Sequence, residues 1–354
     1  MKGIILHGGH GTRLRPLTHT GPKQLLPIAN KPMSEYCLEA IRDCNITEIA
    51  IIIGGVGSEK VKEYYGNGEK FGINITYVKQ DEPRGIAHAI NLCRNFIQDE
   101  KFLVFLGDNI IQKPISEIKE KFENSTFDAT LLLCEVDNPS RFGIADLKDG
   151  KITKIMEKPD EPPTNFAVTG IYLLTPEIFE IIDNLEPSWR NEFEITDALD
   201  ILLEKTDNIS YDVITDYWKD TGTPEDIINA NAQILENISK DKFVSDEGTE
   251  VDSDCSIIMP STIGKNCKIK KNVIIGPYTS IGDNTIISSN VKIENSIIMS
   301  DCKIEDGLKI NNSIISSNCH LEGNNRDDSE KLFLLGEGTR ISLWCYEFIR
   351  NIKY

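Results

Sequence analysis

Lys2-Gly3-Ile4-Ile5-Leu6-His7-Gly8-Gly9-His10-Gly11-Thr12-Arg13-Leu14-Arg15-Pro16 decides how the first half of the chain is read. The run Lys2–Leu6 has the short, continuous apolar character of a buried parallel strand, and the glycines that follow make a turn at its carboxyl end. Such a turn aims several backbone N–H groups at one anion, and glycine is needed because side chains would block the approach. No third glycine follows Gly9-His10-Gly11, which excludes the dinucleotide fingerprint, and no Gly-Lys-Ser/Thr closes the loop, which excludes a Walker A site. The charge must come from Arg13, Arg15 and, in Pro22-Lys23-Gln24-Leu25-Leu26-Pro27, from Lys23. A plain strand-to-helix turn does not require cations so close to its glycines, so the segment reads as a phosphate-binding device.

From this strand to about Ile238, apolar strands (Glu48–Ile53, Asn74–Val78, Lys101–Phe105) alternate with helical patterns (Ser34–Cys44, Ser58–Tyr65, Gly85–Phe96). That alternation predicts an α/β domain over 1–238 with a Rossmann-like, mostly parallel sheet covered by helices on both faces. Pro224 opens a last helix to about Ile238, and the polar stretch 239–248 reads as a linker. Over 249–354 the period becomes six: Val251, Ile257, Ile263, Ile269, Ile275, Ile281, Ile287, Ile293 and Met299, a slip after Met299, then Ile304 and Ile310, then Ile315 and Leu321. Glycine often follows, at Gly264, Gly276 and Gly282. Such repeats signal a parallel β-helix, and the hexapeptide-repeat family that the stretch resembles implies the left-handed form. Trp344, Tyr346 and Phe348 read as a C-terminal cap, because an open end exposes unpaired strand edges.

A chain of 354 residues suggests about two domains. No apolar run approaches a membrane span, and Met1-Lys2 leads straight into a strand without a signal-peptide pattern, so a cytoplasmic protein with no membrane partner is expected. The nine cysteines lack any Cys-x-x-Cys pair and read as reduced core thiols. A net charge of −18 argues against a nucleic-acid partner.

Two aspartates suggest a metal near the phosphate loop. Phe102–Leu106 is an apolar strand ending in Gly107-Asp108-Asn109, which places a carboxylate where ligands bind α/β sheets. Asp220, in Trp218-Lys219-Asp220-Thr221-Gly222-Thr223, is its candidate partner, since Mg²⁺ takes one or two protein carboxylates and completes its shell with water and phosphate. Either aspartate alone could be a turn residue bonding its own backbone. Glu157-Lys158 offers a carboxylate for hydroxyls and a cation for phosphate, or a solvated surface pair. Asn165–Gly170 offers backbone groups and the Thr169 hydroxyl. Arg190, followed by Glu192, Glu194 and Asp197, is either a phosphate ligand or part of the acidic first turn of a helix.

The pattern Leu-x-Gly-Gly-x-Gly-Thr-Arg-Leu-x-Pro with Pro-Lys-Gln-Leu-Leu-Pro resembles the sugar-phosphate nucleotidylyltransferases, and most closely the long-form glucose-1-phosphate thymidylyltransferases with a C-terminal hexapeptide domain. The resemblance continues through Gln80–Ala89, Gly107-Asp108-Asn109, Arg141–Ile144, Glu157-Lys158-Pro159, Val168–Tyr172, Glu194–Asp197 and Trp218–Thr223, nearly end to end. It implies that Leu6, Gly8, Gly9, Gly11, Thr12, Gln80, Pro83, Gly85 and Asp108 surround the nucleotide, with Gln80 and Gly85 reading a pyrimidine. It implies that Arg13 and Lys23 act on the reacting phosphates, and that Asp108 and Asp220 hold Mg²⁺. Asn109, Gly143, Glu157, Lys158, Val168, Thr169 and Arg190 would surround the sugar phosphate. The chain departs from the family at His7 (usually alanine), Arg84, Phe142 (often tyrosine) and Asn191 (usually glycine); His7 and His10 read as loop fillers, and the bulk of His7 beside Gly8 is expected to shift the nucleotide.

The implied reaction joins dTTP and glucose 1-phosphate, whose phosphate is already an oxyanion and needs no catalytic base. Three other readings stay open: a UTP-dependent enzyme for glucose or N-acetylglucosamine 1-phosphate, an added acetyl transfer with His320 as base, and a non-catalytic regulatory subunit. The hexapeptide domain implies a homo-oligomer.

Overall fold

The computed structural model describes residues 1–9, 11–237, 247–323 and 329–343. The expected linker residues 239–246, His10, and the cap residues Trp344, Tyr346 and Phe348 lie outside the described residues. Two compact units form, one from Met1–His10 with Met33–Asp220, the other from Gly11–Pro32 with Thr221–Tyr354.

The strands before the repeat are β1 (Lys2–Leu6), β2 (Pro27–Ile28), β3 (Lys31–Pro32), β4 (Glu48–Ile53), β5 (Asn74–Lys79), β6 (Phe102–Leu106), β7 (Asn109–Ile111), β8 (Ala129–Glu135), β9 (Gly143–Lys148), β10 (Lys151–Glu157), β11 (Phe166–Leu174), β12 (Ile209–Ile214) and β13 (Trp218–Asp220). The helices are α1 (Met33–Asp43), α2 (Ser58–Tyr65), α3 (Ile86–Asn91), α4 (Arg94–Ile97), α5 (Ser116–Glu123), α6 (Glu177–Ile182), α7 (Ile195–Thr206) and α8 (Pro224–Asn237).

In the first unit the nine-stranded sheet runs β10-β9-β11-β6-β1-β4-β5, with β8 pairing both β11 and β12. Its β6-β1-β4-β5 part is parallel throughout, as expected from strands apolar on both faces. The long β11 turns the rest of the sheet: it pairs antiparallel with β6, β8 and β9, and its pairing with β8 is interrupted between Val168 and Tyr172. The helical pattern over Gly85–Phe96 is divided into α3 and α4, where Cys93 N–H closes a tight turn on the Ile90 carbonyl at 2.9 Å. The core is mostly aliphatic, running from Ile4, Ile52 and Val104 to Leu131 and Leu199, with Phe102, Tyr172 and Phe179 among them.

In the second unit, short strands stack into three parallel sheets, one strand per side of each coil, consistent with a left-handed β-helix. Val251, Ile269, Ile287, Ile304, Leu321 and Ile341 share one register. Ile257, Ile275, Ile293 and Ile310 share the second. The third corrects the sequence reading. Ile263 and Ile281 are followed by Ile298 and Ile315, so Ile298, not Met299, holds the inward position and the slip falls before it. The side after Ile293 is one residue short, and it turns at Asn295 with φ 43°.

The corners explain a feature that the aliphatic period hides. Asn266, Asn272, Asn284, Asn290, Asp301, Asn312 and Asn318 all adopt positive φ, the conformation that short polar side chains tolerate best after glycine. Their amides stack along the helix, with Asn266 donating to Asn284 (3.3 Å) and Asn284 to Asp301 (3.0 Å). Gly276 is required twice over, because its φ is +98° and a Cβ there would stand 1.9 Å from the Ile258 carbonyl. All eight described cysteines are free thiols, and all but Cys255 are buried. No helix among the described residues is long and apolar enough to cross a membrane.

Candidate active site

β1 ends between β4 and β6: His7 N–H donates to the Ile52 carbonyl at 2.9 Å and Gly107 N–H to the Leu6 carbonyl at 3.0 Å. The chain then opens at Gly8 and Gly9, the latter with φ +99°. A Cβ on Gly8 would come within 2.9 Å of Gln80 Oε1, so the glycine strand end and the proposed base reader meet. Gln80 is buried, its N–H bonded to the Ile53 carbonyl (2.8 Å) and its Nε2 lying 3.1 Å from His88 Nδ1. Gly85 is needed for conformation and for space: φ is +107°, and a Cβ would lie 2.4 Å from the Phe193 carbonyl. Pro83 stands exposed in the preceding loop, where Arg84 ion-pairs with Glu82 at 2.6 Å.

His7 does not fill the loop as expected. Its ring turns inward, is fully buried, and meets Tyr65 edge-on with centroids 5.9 Å apart. Neither ring nitrogen finds a hydrogen-bond partner among the described residues. Burial pushes its pKa from 6.5 down to about 3, against a smaller opposing pull from Asp108. The imidazole is therefore neutral and packed behind the strand, so its bulk is directed away from the glycine turn.

Gly11, Thr12, Arg13 and Lys23 belong to the second unit. Gly11, at φ +57°, caps a 3₁₀ turn over Thr12–Leu14, and Thr18 Oγ1 donates to its carbonyl at 2.7 Å. Thr12 and Arg13 are exposed on that turn. Lys23 opens a second 3₁₀ turn, Lys23–Leu25, and is buried.

The two aspartates, separated by more than a hundred residues, are brought together. β13 pairs antiparallel with β7 so that Asp220 stands opposite Asn109, one residue from Asp108. Asn109 Nδ2 donates to Asp108 Oδ1 at 3.0 Å, and its Oδ1 accepts from Trp218 Nε1 at 2.8 Å and from Gly170 N–H at 3.4 Å. Asn109 thus orients Asp108 through one amide hydrogen. Two carboxylates at neighbouring positions are the hard oxygen donors that Mg²⁺ accepts, and two suffice for an ion that keeps water and phosphate in its shell. The residues fit the ion.

A second cluster gathers around Glu157 at the end of β10. Its Oε1 receives Lys158 Nζ (2.9 Å) and Arg190 NH1 (3.1 Å), and its Oε2 receives Thr196 Oγ1 (3.0 Å). Lys158 sits at φ 42° with its N–H on the Phe142 carbonyl at 3.1 Å. A Cβ at Gly143 would be 2.5 Å from Thr196 Cγ2, so Gly143, Glu157, Lys158, Arg190 and Thr196 line one place. Arg190 also bonds Glu192 (3.0 Å) and Glu194 (3.3 Å), and Glu194 caps α7, whose first turn carries Asp197. The acidic helix start is thus present, and Arg190 is held beside it by three carboxylates. Burial raises the Glu194 pKa above the ordinary carboxylate value, while the Ser188 hydroxyl bonded to it acts in the opposite sense.

Thr169 is a correction. It is wholly buried, and its hydroxyl donates to the Leu132 carbonyl at 2.8 Å, so only backbone remains to offer there, beside Val168 where β11 leaves β8. Thr196 has no role assigned from sequence; as a threonine at the second position of α7, it carries no signal apart from the fold. Phe142 packs on Trp218, ring centroids 5.6 Å apart, which links the sugar-side loop through Trp218 and Asn109 to Asp108. On the β-helix, His320 Nε2 lies 3.1 Å from Glu305 Oε1.

Comparison with known proteins identifies the family. The nucleotidyl transferase family matches residues 2–237 and the GMPPB C-terminal domain family matches residues 257–345. The low-salt glycan biosynthesis nucleotidyltransferase Agl11 of Haloferax volcanii is 44% identical over 319 residues, covering 86% of this chain and 89% of that protein. Glucose-1-phosphate thymidylyltransferase of Streptomyces antibioticus is 39% identical over 319 residues, covering 86% and 88%. A Bacillus anthracis structure assigned as a glucose-1-phosphate thymidylyltransferase, in complex with sucrose, superimposes with a TM-score of 0.64 at 41% identity, covering 68% of this chain and 96% of that one. With the glycine strand end, the paired aspartates and the Glu157 cluster in one α/β unit, the chain belongs to the sugar-phosphate nucleotidyltransferases.

Proposed function

We propose that the protein transfers a thymidylyl group from dTTP to α-D-glucose 1-phosphate, giving dTDP-glucose and pyrophosphate. The observation that carries this reading is the β7–β13 pairing, which sets Asp220 beside Asp108 at the end of the central strand β6. The sugar phosphate oxygen attacks the α-phosphorus, a new P–O bond forms, the α–β bridge breaks, and its electron pair leaves with pyrophosphate. No protein nucleophile is required. What opposes the step is repulsion between anions, so the work of the site is alignment and charge compensation. Lys158 and Arg190 hold the sugar phosphate, Arg13 and Lys23 grip the triphosphate, and Gln80 reads the base edge. Asp108 and Asp220 would hold Mg²⁺, which when bound neutralises phosphate charge. Self-association through the hexapeptide unit belongs to the same proposal.

UTP is the second reading to keep, because Gln80 meets an edge that thymine and uracil share. Pyrophosphate release with Mg²⁺, measured with dTTP and UTP against glucose 1-phosphate, tests the choice. A higher kcat/KM with dTTP supports the proposal, and a higher value with UTP replaces it.

A further inference from the structure

The segment that carries Arg13 and Lys23 is fastened to the β-helix. β2 and β3 form a two-residue hairpin whose turn, Ala29-Asn30, has both residues at positive φ, 49° and 64°. This is the type I′ geometry that Asn and Gly favour and alanine does not. A residue held in so sparsely populated a conformation persists only where its surroundings over-determine it, and here they do. Ala29 N–H donates to Asn231 Oδ1 of α8 at 2.9 Å, and Asn30 Nδ2 donates to the Ile281 carbonyl of the second coil at 2.7 Å. Asn231 is itself buried and tied to that coil: its Oδ1 accepts from Ser280 Oγ at 2.7 Å and its Nδ2 donates to the Tyr278 carbonyl at 3.2 Å. One side-chain amide thus joins the hairpin, the helix and the repeat. The start of the same segment meets a later coil, where a Cβ on Gly336 would stand 3.0 Å from the Pro16 carbonyl. Lys23 lies between these two attachments, four residues before β2.

We propose that Asn231, with Asn30, is a positioning residue for nucleotidyl transfer: the β-helix acts as the fixed base that sets where Arg13 and Lys23 stand. The inference rests on the reading of those two cations as triphosphate ligands. A loosened hairpin keeps its charges but loses their placement, and misplacement by about 1 Å can cost roughly a hundredfold in rate. The cost belongs in the chemical step and not in capture of the sugar, whose cluster around Glu157 lies in the other unit.

The test uses the full chain and follows pyrophosphate release with the nucleoside triphosphate that the wild type turns over. Asn231→Ala removes the junction, Asn231→Asp keeps the acceptor for Ala29 and Ser280, and Asn30→Gly removes one amide while leaving a residue that takes positive φ freely. The proposal expects kcat per folded molecule to fall about ten- to a hundredfold in Asn231→Ala and Asn30→Gly. The KM for sugar phosphate should be unchanged, and Asn231→Asp should recover most of the loss. Should Asn231→Ala fail to fold, Asn30→Gly decides. A lowered melting temperature with wild-type kcat would overturn the proposal, as would equal losses in kcat and in sugar-phosphate KM. Lys23→Ala separates the premise: full activity in that variant refutes the cation assignment itself, and the inference with it.

Discussion

Replacing His7 by phenylalanine should flatten the acid limb of the stability profile. The imidazole is fully buried with both nitrogens unpartnered among the described residues, and burial holds its folded-state pKa at about 3 against an ordinary 6.5. Above pH 6.5 both folded and unfolded chains carry a neutral ring, and the group adds no pH dependence. Below it the unfolded chain takes up a proton that the folded chain refuses, so stability falls with pH until the folded pKa is reached, at about 1.4 kcal/mol per pH unit. From pH 6.5 to pH 5 the loss is about 2 kcal/mol. Phenylalanine keeps a flat ring against Tyr65 and has nothing to protonate. At pH 8 the variant should also be more stable, because two desolvated polar atoms cost about 1–3 kcal/mol, less any strain from the larger ring. Urea titrations of both proteins at pH 8, 7, 6 and 5 measure the difference, in which all other titrating groups cancel. Whatever offset strain leaves between the two profiles at pH 8, their difference should shift by about 2 kcal/mol in favour of the variant between pH 6.5 and pH 5. A difference that stays constant across the series would mean that the folded protein accommodates a charged His7, and would refute the reasoning.

Three further outcomes are expected. Asp108→Asn should abolish pyrophosphate release while circular dichroism and melting temperature stay near wild type; near-normal turnover at saturating Mg²⁺ would remove Asp108 from the metal site. Lys158→Ala should raise the KM for sugar 1-phosphate far more than that for nucleotide, and equal increases would argue against its place in the Glu157 cluster. Gly85→Ala should cost about 1–3 kcal/mol for the backbone conformation and a further 1–3 kcal/mol or so for the contact with the Phe193 carbonyl, read as a lower urea midpoint; an unchanged midpoint would mean that the loop from Pro83 yields freely.

Sequence periodicity carried the framework because it is fixed by backbone repeat: β1, β4 and β5 fall where their apolar runs lie, and the six-residue spacing revealed the three-sided coil. It failed at Met299, since a turn shortened by one residue leaves Ile297, Ile298 and Met299 equally aliphatic, and only strand pairing chooses among them. Chemistry at strand ends was legible from residue type, as with Asp108. What was not legible was the direction of a side chain. His7, read as a loop filler, follows a buried strand and turns inward, and Thr169, whose hydroxyl looked available, is consumed by a neighbouring carbonyl. The meeting of Asp220 with Asp108, and of Thr196 with Glu157, depends on pairing between distant segments. The attachment of the Ala29-Asn30 turn to α8 and the β-helix carried no motif at all.

The central claim is tested most directly by pyrophosphate release with Mg²⁺ across dTTP, UTP, ATP, CTP and GTP, each paired with glucose, galactose, glucosamine and N-acetylglucosamine 1-phosphates. The account predicts the highest kcat/KM for dTTP with glucose 1-phosphate and loss of that signal in Asp108→Asn. No release from any pair, by a sample shown to be folded, would contradict it.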